Sequence, residues 1–386
     1  HPGKQQTAHF LQRHTAAKTK VKSPRTSTKT QDSHLLFMKN HSTRMQRLNS
    51  IFGKQYSLHL KEASDLRITD LKSTIISMDV KKEALGMERW TWAKTSGMTT
   101  VIVEISTDEE VVGLGESWVA DPSAEITKAI IDSTKPLVVG EDPFDIEKIT
   151  HKLYYSLGFY CDAMSKAYGL PYCGVDMAIW DIIGKACGRP LYKLLGGTIE
   201  KKVPFKASVP ADLDDIKHMT EVAQKVVNEG WKTLYIKVGV NPAKEVPAIK
   251  SVREAVGPDI NIRVDVNGAW SVGFAKRWIK KVERYDLEWV EQPVAGSNVD
   301  GMALLRKCVD VPIAANESCW SPGDTYNVIK KEAADIILID PRNHWGILGC
   351  KKVAAMAQMA GLPVSLHCNH ELGVAQYAFA HLMASI

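Results

Sequence analysis

Six short apolar runs in the C-terminal part of the chain each end on one chemically loaded residue: Lys237, Asp265, Glu291, Glu317, Asp340 and His367. The intervals between them are 28, 26, 26, 23 and 27 residues. That is about the length of one β-strand plus one returning helix. The repetition predicts a (β/α) barrel, in which the C-terminal ends of all the strands share one rim. Residues placed once per repeat at a strand end then converge in space. The strands are expected at "VPFKASV", "TLYIKV", "INIRVDV", "LEWVEQ", "PIAANE", "IILID" and "PVSLH". Such runs, rich in β-branched residues, suit a parallel sheet buried on both faces. The helix that should follow the seventh run reaches Ile386, so the expectation is a modified TIM (β/α) barrel truncated before its eighth strand.

N-terminal to the barrel the pattern changes. "ITDLKSTIISMDV" and "TTVIVEISTDEEVVGLGESW" alternate as antiparallel strands do, the second doubling back around Asp108-Glu109-Glu110. Between them, residues 81–98 have no clean period. A long connection inside a compact domain is usually functional or mobile. Arg89, Trp90, Trp92 and Lys94 make it a candidate lid, with cations for an anionic substrate and indoles to exclude water; a merely solvated loop is the alternative. Residues 122–195 read as helical, and in "YCGVDMAIWDIIGKACGRPLYKLLGG" Val175, Ile179, Ile182 and Ile183 lie near one face. The expected organisation is a basic polar tail over 1–65, an α+β capping domain over 66–198 and a barrel over 199–386, an α/β protein in all.

Charge separates the tail from the body. Residues 1–50 hold ten Lys/Arg and one Asp, so although the chain carries +5 overall, the other 336 residues are net −4. A nucleic-acid binder would carry its positive charge on a folded face, and no nucleic-acid partner is expected. The tail is too polar to offset its ordering entropy and reads as disordered, with an organelle-targeting peptide as the alternative. No run approaches the ~20 apolar residues of a membrane-spanning helix. The seven cysteines are scattered, without C-x-x-C spacing, which suits a reducing, cytoplasmic location.

The rim residues define a chemistry. Asp265, Glu291 and Glu317 are oxygen ligands on separate rigid elements, as Mg²⁺ requires. Three carboxylates in one barrel mouth would otherwise repel one another. Lys237 ends the strand before the first of them; it is either a proton acceptor whose pKa falls beside a dication or an ion-pair partner of a carboxylate. Asp340 and His367 end neighbouring strands, so the carboxylate can fix the imidazole tautomer. Lys237 and His367 would then stand on opposite sides of one substrate.

These residues, with "GVDMAIWDIIGKACGRPLYKLLGG", "YIKVG", "VDVNGAW", "VEQPV", "PIAANES" and "SLHCNHE", resemble the enolase superfamily, specifically its mandelate racemase and muconate lactonizing branch. The resemblance spans residues 68–386 and implies an enzyme with Asp265, Glu291 and Glu317 on Mg²⁺, and with Lys237 and a His367–Asp340 dyad as its acid/base pair. It implies an enediolate intermediate on a small carboxylate substrate, and a homo-oligomer. Tyr235, Asn267, Arg89, Trp92 and Lys94 are the candidate substrate contacts. The His–Asp dyad is closer to the mandelate racemase type. Two features depart from the family: the usual K-x-K of the second strand is Tyr235-Ile236-Lys237, and in "NES" Asn316 competes with Glu317 for the third ligand position. The polar, tryptophan-rich 81–98 connection favours a sugar acid, undergoing dehydration or cycloisomerisation. Racemisation or epimerisation of a 2-hydroxy acid, or a non-catalytic homologue, are the alternatives.

Overall fold

The computed structural model describes residues 66–79, 97–119, 124–158, 162–198, 202–367 and 371–386. The expected tail and the lid candidates Arg89, Trp92 and Lys94 lie outside the described residues. Three strands, β1 (Ile68–Asp79), β2 (Gly97–Thr107) and β3 (Val112–Trp118), form an antiparallel sheet in the order β1-β2-β3. The doubling back at 108–111 falls where the acidic triplet predicts it. Four helices follow: α1 (Ala124–Val138), α2 (Ile146–Gly158), α3 (Asp162–Ala186) and the single-turn α4 (Leu191–Leu194).

Helix α3 packs closely on β3, and glycines permit it. A Cβ on Gly115 would lie 1.8 Å from the Gly174 carbonyl oxygen, and one on Gly113 would lie 2.0 Å from that of Ala178. Val175, Ile179, Ile182 and Ile183 are all buried, as their spacing predicts. The same helix also gives Cys173 and Met177 to the core of the second sheet. It is therefore buried on two sides, which is why it shows no narrow apolar stripe.

The second sheet holds seven parallel strands in the order β10-β9-β8-β7-β6-β5-β4, curled into a half-barrel. They are β4 (Ala207–Val209), β5 (Thr233–Lys237), β6 (Asn261–Asp265), β7 (Trp289–Glu291), β8 (Ile313–Ala315), β9 (Ile336–Ile339) and β10 (Val364–Leu366). Each matches one predicted run. Between and after them come α5 (Ile216–Asn228), α6 (Pro242–Val256), α7 (Val272–Val282), α8 (Val299–Arg306), α9 (Pro322–Lys330), α10 (Gly346–Met359) and α11 (Gly373–Met383). Leu234, Ile236, Ile262, Val264, Val290, Ile313, Ile337 and Ile339 are inaccessible to solvent or nearly so, and at about 1.5–3 kcal/mol for each large aliphatic side chain they anchor the sheet.

Two buried carboxylates join the antiparallel layer to the half-barrel, and each does so at a helix N-terminus. Asp176 of α3 accepts the Ile347 N–H at 2.6 Å, at the start of α10. Gly346, at φ +94°, is needed there, because a Cβ would meet the Asp176 carboxylate at 2.1 Å. Glu116 of β3 accepts the N–H groups of Leu372 (2.7 Å) and Ala375 (3.0 Å), at the start of α11. The first turn of a helix leaves such N–H groups without intrahelical partners, and a carboxylate there also meets the positive end of the helix dipole. Both joints follow β9 and β10, beside the strand ends that carry Asp340 and His367.

Candidate active site

The parallel register sets Lys237 opposite Asp265 and Asp265 opposite Glu291, one row across the ends of β5, β6 and β7. Asp340 and His367 stand one residue beyond β9 and β10. Glu317 lies further out, because β8 ends at Ala315 and the chain turns there. Gln292 builds that turn. It is fully buried with φ +37°, and its Oε1 accepts from the backbone N–H of both Asn316 and Ser318 at 3.1 Å. Its amide donates to the Ser318 hydroxyl at 2.9 Å and the Val294 carbonyl at 2.8 Å.

Lys237 and Asp265 form the centre of the row. The Lys237 ammonium lies 2.5 Å from Asp265 Oδ2 and donates to Asn267 Oδ1 at 2.9 Å. Tyr235 does not open towards solvent; it is buried, and its hydroxyl donates to the same Asp265 Oδ2 at 2.5 Å. Asn267, in a left-handed turn at φ +49°, donates its backbone N–H to Asp265 Oδ1 (2.8 Å) and its side-chain amide to Glu317 Oε1 (2.9 Å). Of the sequence-based substrate contacts, Tyr235 and Asn267 thus brace the acidic row. The loop after Lys237 is held by Glu245, which accepts from Gly239, Val240 and Asn241 N–H at 2.8 Å each.

Charge in this row is unevenly shared. Burial opposes ionisation of Asp265, but the Lys237 ammonium and the hydrogen bonds from Lys237, Tyr235 and Asn267 outweigh it and hold the carboxyl below its ordinary range. Burial likewise opposes the Lys237 charge, and Asp265, Glu291 and Glu317 together overcome it, so the ammonium is held above its ordinary value. The fall expected beside a dication is not the state set by these carboxylates alone. Burial, then the Asp265 charge, pushes Glu291 up to about 7 and raises Glu317 as well.

The oxygens of this row are of the kind a hard cation takes. Glu291 Oε2 and Glu317 Oε2 are buried oxygens without a hydrogen-bond partner among the described residues. Buried acceptors in that condition are costly unless something positive meets them. As they stand, no three His, Cys, Asp or Glu side chains among the described residues are grouped so as to hold a metal ion; donors from Lys237, Asn267 and Asn316 engage the carboxylates. Asn316 donates to Glu291 Oε1 at 3.0 Å. Of the two candidates for the third position, Glu317 carries the unpartnered oxygen, and Asn316 braces Glu291.

His367 and Asp340 form the expected dyad. Asp340 Oδ2 lies 2.7 Å from His367 Nδ1, which leaves Nε2 for a substrate. Arg342, which the strand-end pattern does not single out, grips the same carboxylate: Nε lies 2.8 and 3.0 Å from its two oxygens, and Nη2 lies 2.5 Å from Oδ2 and 2.8 Å from Glu371 Oε1. Asp340, Arg342 and Glu371 are all buried. Burial opposes ionisation of Asp340, yet the Arg342 and His367 partners hold it far below the usual range. Arg342 could have been suspected only from its place three residues past the end of β9.

The mouth of this half-barrel sets buried carboxylates between a lysine and a His–Asp pair. Residues 74–196 match the family described as "Mandelate racemase / muconate lactonizing enzyme, N-terminal domain", and residues 218–386 match "Enolase C-terminal domain-like". The chain belongs to the mandelate racemase/muconate lactonizing enzyme family of the enolase superfamily. It is 32% identical over 298 residues to the N-succinyl-L-Arg/Lys racemase of Bacillus cereus, covering 75% of this chain and 78% of that one. It is 29% identical over 291 residues to the arabinonate dehydratase of Saccharolobus solfataricus, covering 75% and 77%. The dipeptide epimerase of Enterococcus faecalis V583, complexed with Mg and the dipeptide L-Leu-L-Tyr, superposes with a TM-score of 0.74 at 29% identity, over 83% of this chain and 88% of that one. The relatives are isomerases and lyases.

Proposed function

We propose that the chain is a Mg²⁺-dependent enzyme that removes the proton α to a carboxylate, with dehydration or cycloisomerisation of a sugar acid as the outcome. The observation that carries this reading is the buried acidic row, with partnerless oxygens on Glu291 and Glu317, flanked by Lys237 and by His367 locked to Asp340. Asp265, Glu291 and Glu317 would hold the metal, which supplies fixed positive charge for the substrate carboxylate as electrons from the α-carbon move into it. Lys237 Nζ takes the α-proton once its ammonium has given up its own. His367, tethered through Nδ1, presents Nε2. In dehydration the imidazolium delivers its proton to the departing β-hydroxyl; in a cycloisomerisation that opens a ring it delivers it to the ring oxygen that leaves the β-carbon. Asp340 and Arg342 keep the ring from turning, and the hydrogen bonds of Asn267 and Gln292 keep the acidic row in place.

A second reading is supported by the racemase and epimerase among the relatives. If His367 returns a proton to the α-carbon on the face opposite Lys237, the same groups invert the centre. The two readings separate in D₂O with Mg²⁺ and a panel holding arabinonate and other sugar acids, N-succinyl-arginine and dipeptides. Dehydration yields a 2-keto product, and epimerisation yields α-deuterium with the hydroxyl retained. A full chain that neither exchanges any α-proton nor binds Mg²⁺ would sink both.

A further inference from the structure

Beside Lys237 stands a second lysine that the strand-end pattern does not reveal. Lys206 immediately precedes β4, and β4 pairs with β5 so that Ser208 faces Tyr235. Side chains on a strand alternate between faces, so a residue two before Ser208 lies on the same face as Tyr235, and Tyr235 shares that face with Lys237. The ammonium of Lys206 sits 3.4 Å from the centre of the Tyr235 ring, and that of Lys237 sits 5.4 Å from the same centre. Among the described residues no carboxylate forms an ion pair with Lys206, although its charge reaches Glu291. A partly buried ammonium held by a ring face and not by an acid is placed to act on that ring.

The consequence runs through one oxygen. Tyr235 donates to Asp265 Oδ2, and so does Lys237. A cation over the phenol draws electron density from its oxygen and makes its hydroxyl a stronger donor. Tyr235 and Lys237 thus share one acceptor, and the positive charge of Lys206 reaches that acceptor through the phenol. We propose that Lys206 is a positioning residue of the acid/base site, supplying from the neighbouring strand, through Tyr235, the second positive charge that stands beside Lys237. The proposal rests on the function assigned above only in calling Lys237 the base.

Two measurements on the full chain test it, and neither needs turnover. In protein labelled with ¹³Cζ-tyrosine, the Tyr235 resonance, assigned by its loss in Tyr235→Phe, should move in Lys206→Met and return in Lys206→Arg. In calorimetric titration with Mg²⁺, Lys206→Met should bind the ion several-fold more tightly, because one repelling charge has left the acidic row, and Lys206→Arg should restore the original affinity. A merely structural lysine predicts the opposite, weaker binding in both variants as the mouth loosens. An unmoved Tyr235 resonance, or Mg²⁺ affinity unchanged or lowered in Lys206→Met, overturns the proposal. A wild-type chain that takes up no Mg²⁺ removes the metal reading by itself. The tyrosine signal then decides Lys206 alone: moved and restored by arginine, it stands; unmoved, it falls.

Discussion

At the scale of single residues, the site separates groups that meet the substrate from groups that fix them. Lys237→Ala and His367→Ala should each abolish turnover and leave Mg²⁺ affinity, read by titration, near the wild-type value. Glu291→Gln should weaken the ion itself; Mg²⁺ binding that survives Glu291→Gln but fails in the Lys237 variant would overturn these roles. Arg342 belongs to the second group. It is buried and bridges two buried acids, Asp340 and Glu371. Removing one partner of such a cluster strands the others without compensation, at about 3–5 kcal/mol. Arg342→Met should therefore lose about that much stability in urea. Arg342→Lys keeps the charge but not the planar fork that reaches both Asp340 oxygens; it should recover part of the stability and little of the turnover. Equal activity in the lysine variant and the wild type would show that charge alone orients the dyad.

At the scale of elements, the strand ends carry the chemistry and the helix starts carry the joints. Glu116 tests this division. It belongs to β3, far from the reacting groups in sequence, yet it receives the first N–H groups of α11, just after the strand end that presents His367. Losing a helix cap costs about 0.5–2 kcal/mol. Glu116→Ala should lower stability by that order and reduce kcat more than it raises KM, since it loosens the dyad and not the substrate contacts; a change confined to KM would refute the joint. The same division explains what was legible beforehand. The seven β-runs and the residues ending them are local signals, so the half-barrel, the His367–Asp340 pair and the Lys237–Asp265–Glu291 row could be read directly. Glu317 lies off the row because Gln292 pulls the Asn316–Ser318 backbone into a turn. Arg342 with Glu371, Glu116 with α11, and Lys206 with Tyr235 are meetings of side chains from different elements or turns, and no periodicity announces them. Arg89, Trp92 and Lys94, on which the sugar-acid preference rests, lie outside the described residues.

At the scale of the whole molecule, the two cores are tied through buried charge, and the tie should respond to pH. Asp176 lies where α3 meets α10; burial pushes its carboxyl up to about 7, against the bonds it accepts from the Ile347 and Leu348 N–H groups. An unfolded aspartate loses its proton near pH 4. Between about pH 4 and pH 7 the folded chain thus holds a proton that the unfolded chain has released, so this group's contribution to stability falls as pH rises across that window and is level above it. Each unit of such a difference corresponds to about 1.4 kcal/mol, so the effect is on the order of a few kcal/mol. Asparagine in this place keeps an oxygen to accept from the α10 N-terminus and carries no charge to bury. Asp176→Asn should therefore melt at the same temperature as the wild type near pH 4.5 and several degrees above it at pH 8. Melting curves across that range, with EDTA present to remove any metal contribution, provide the check. If the variant is instead destabilised equally at both pH values, the carboxylate at this joint is a favourable helix cap whose charge the fold tolerates, and the link between pH and the cap–barrel contact is lost.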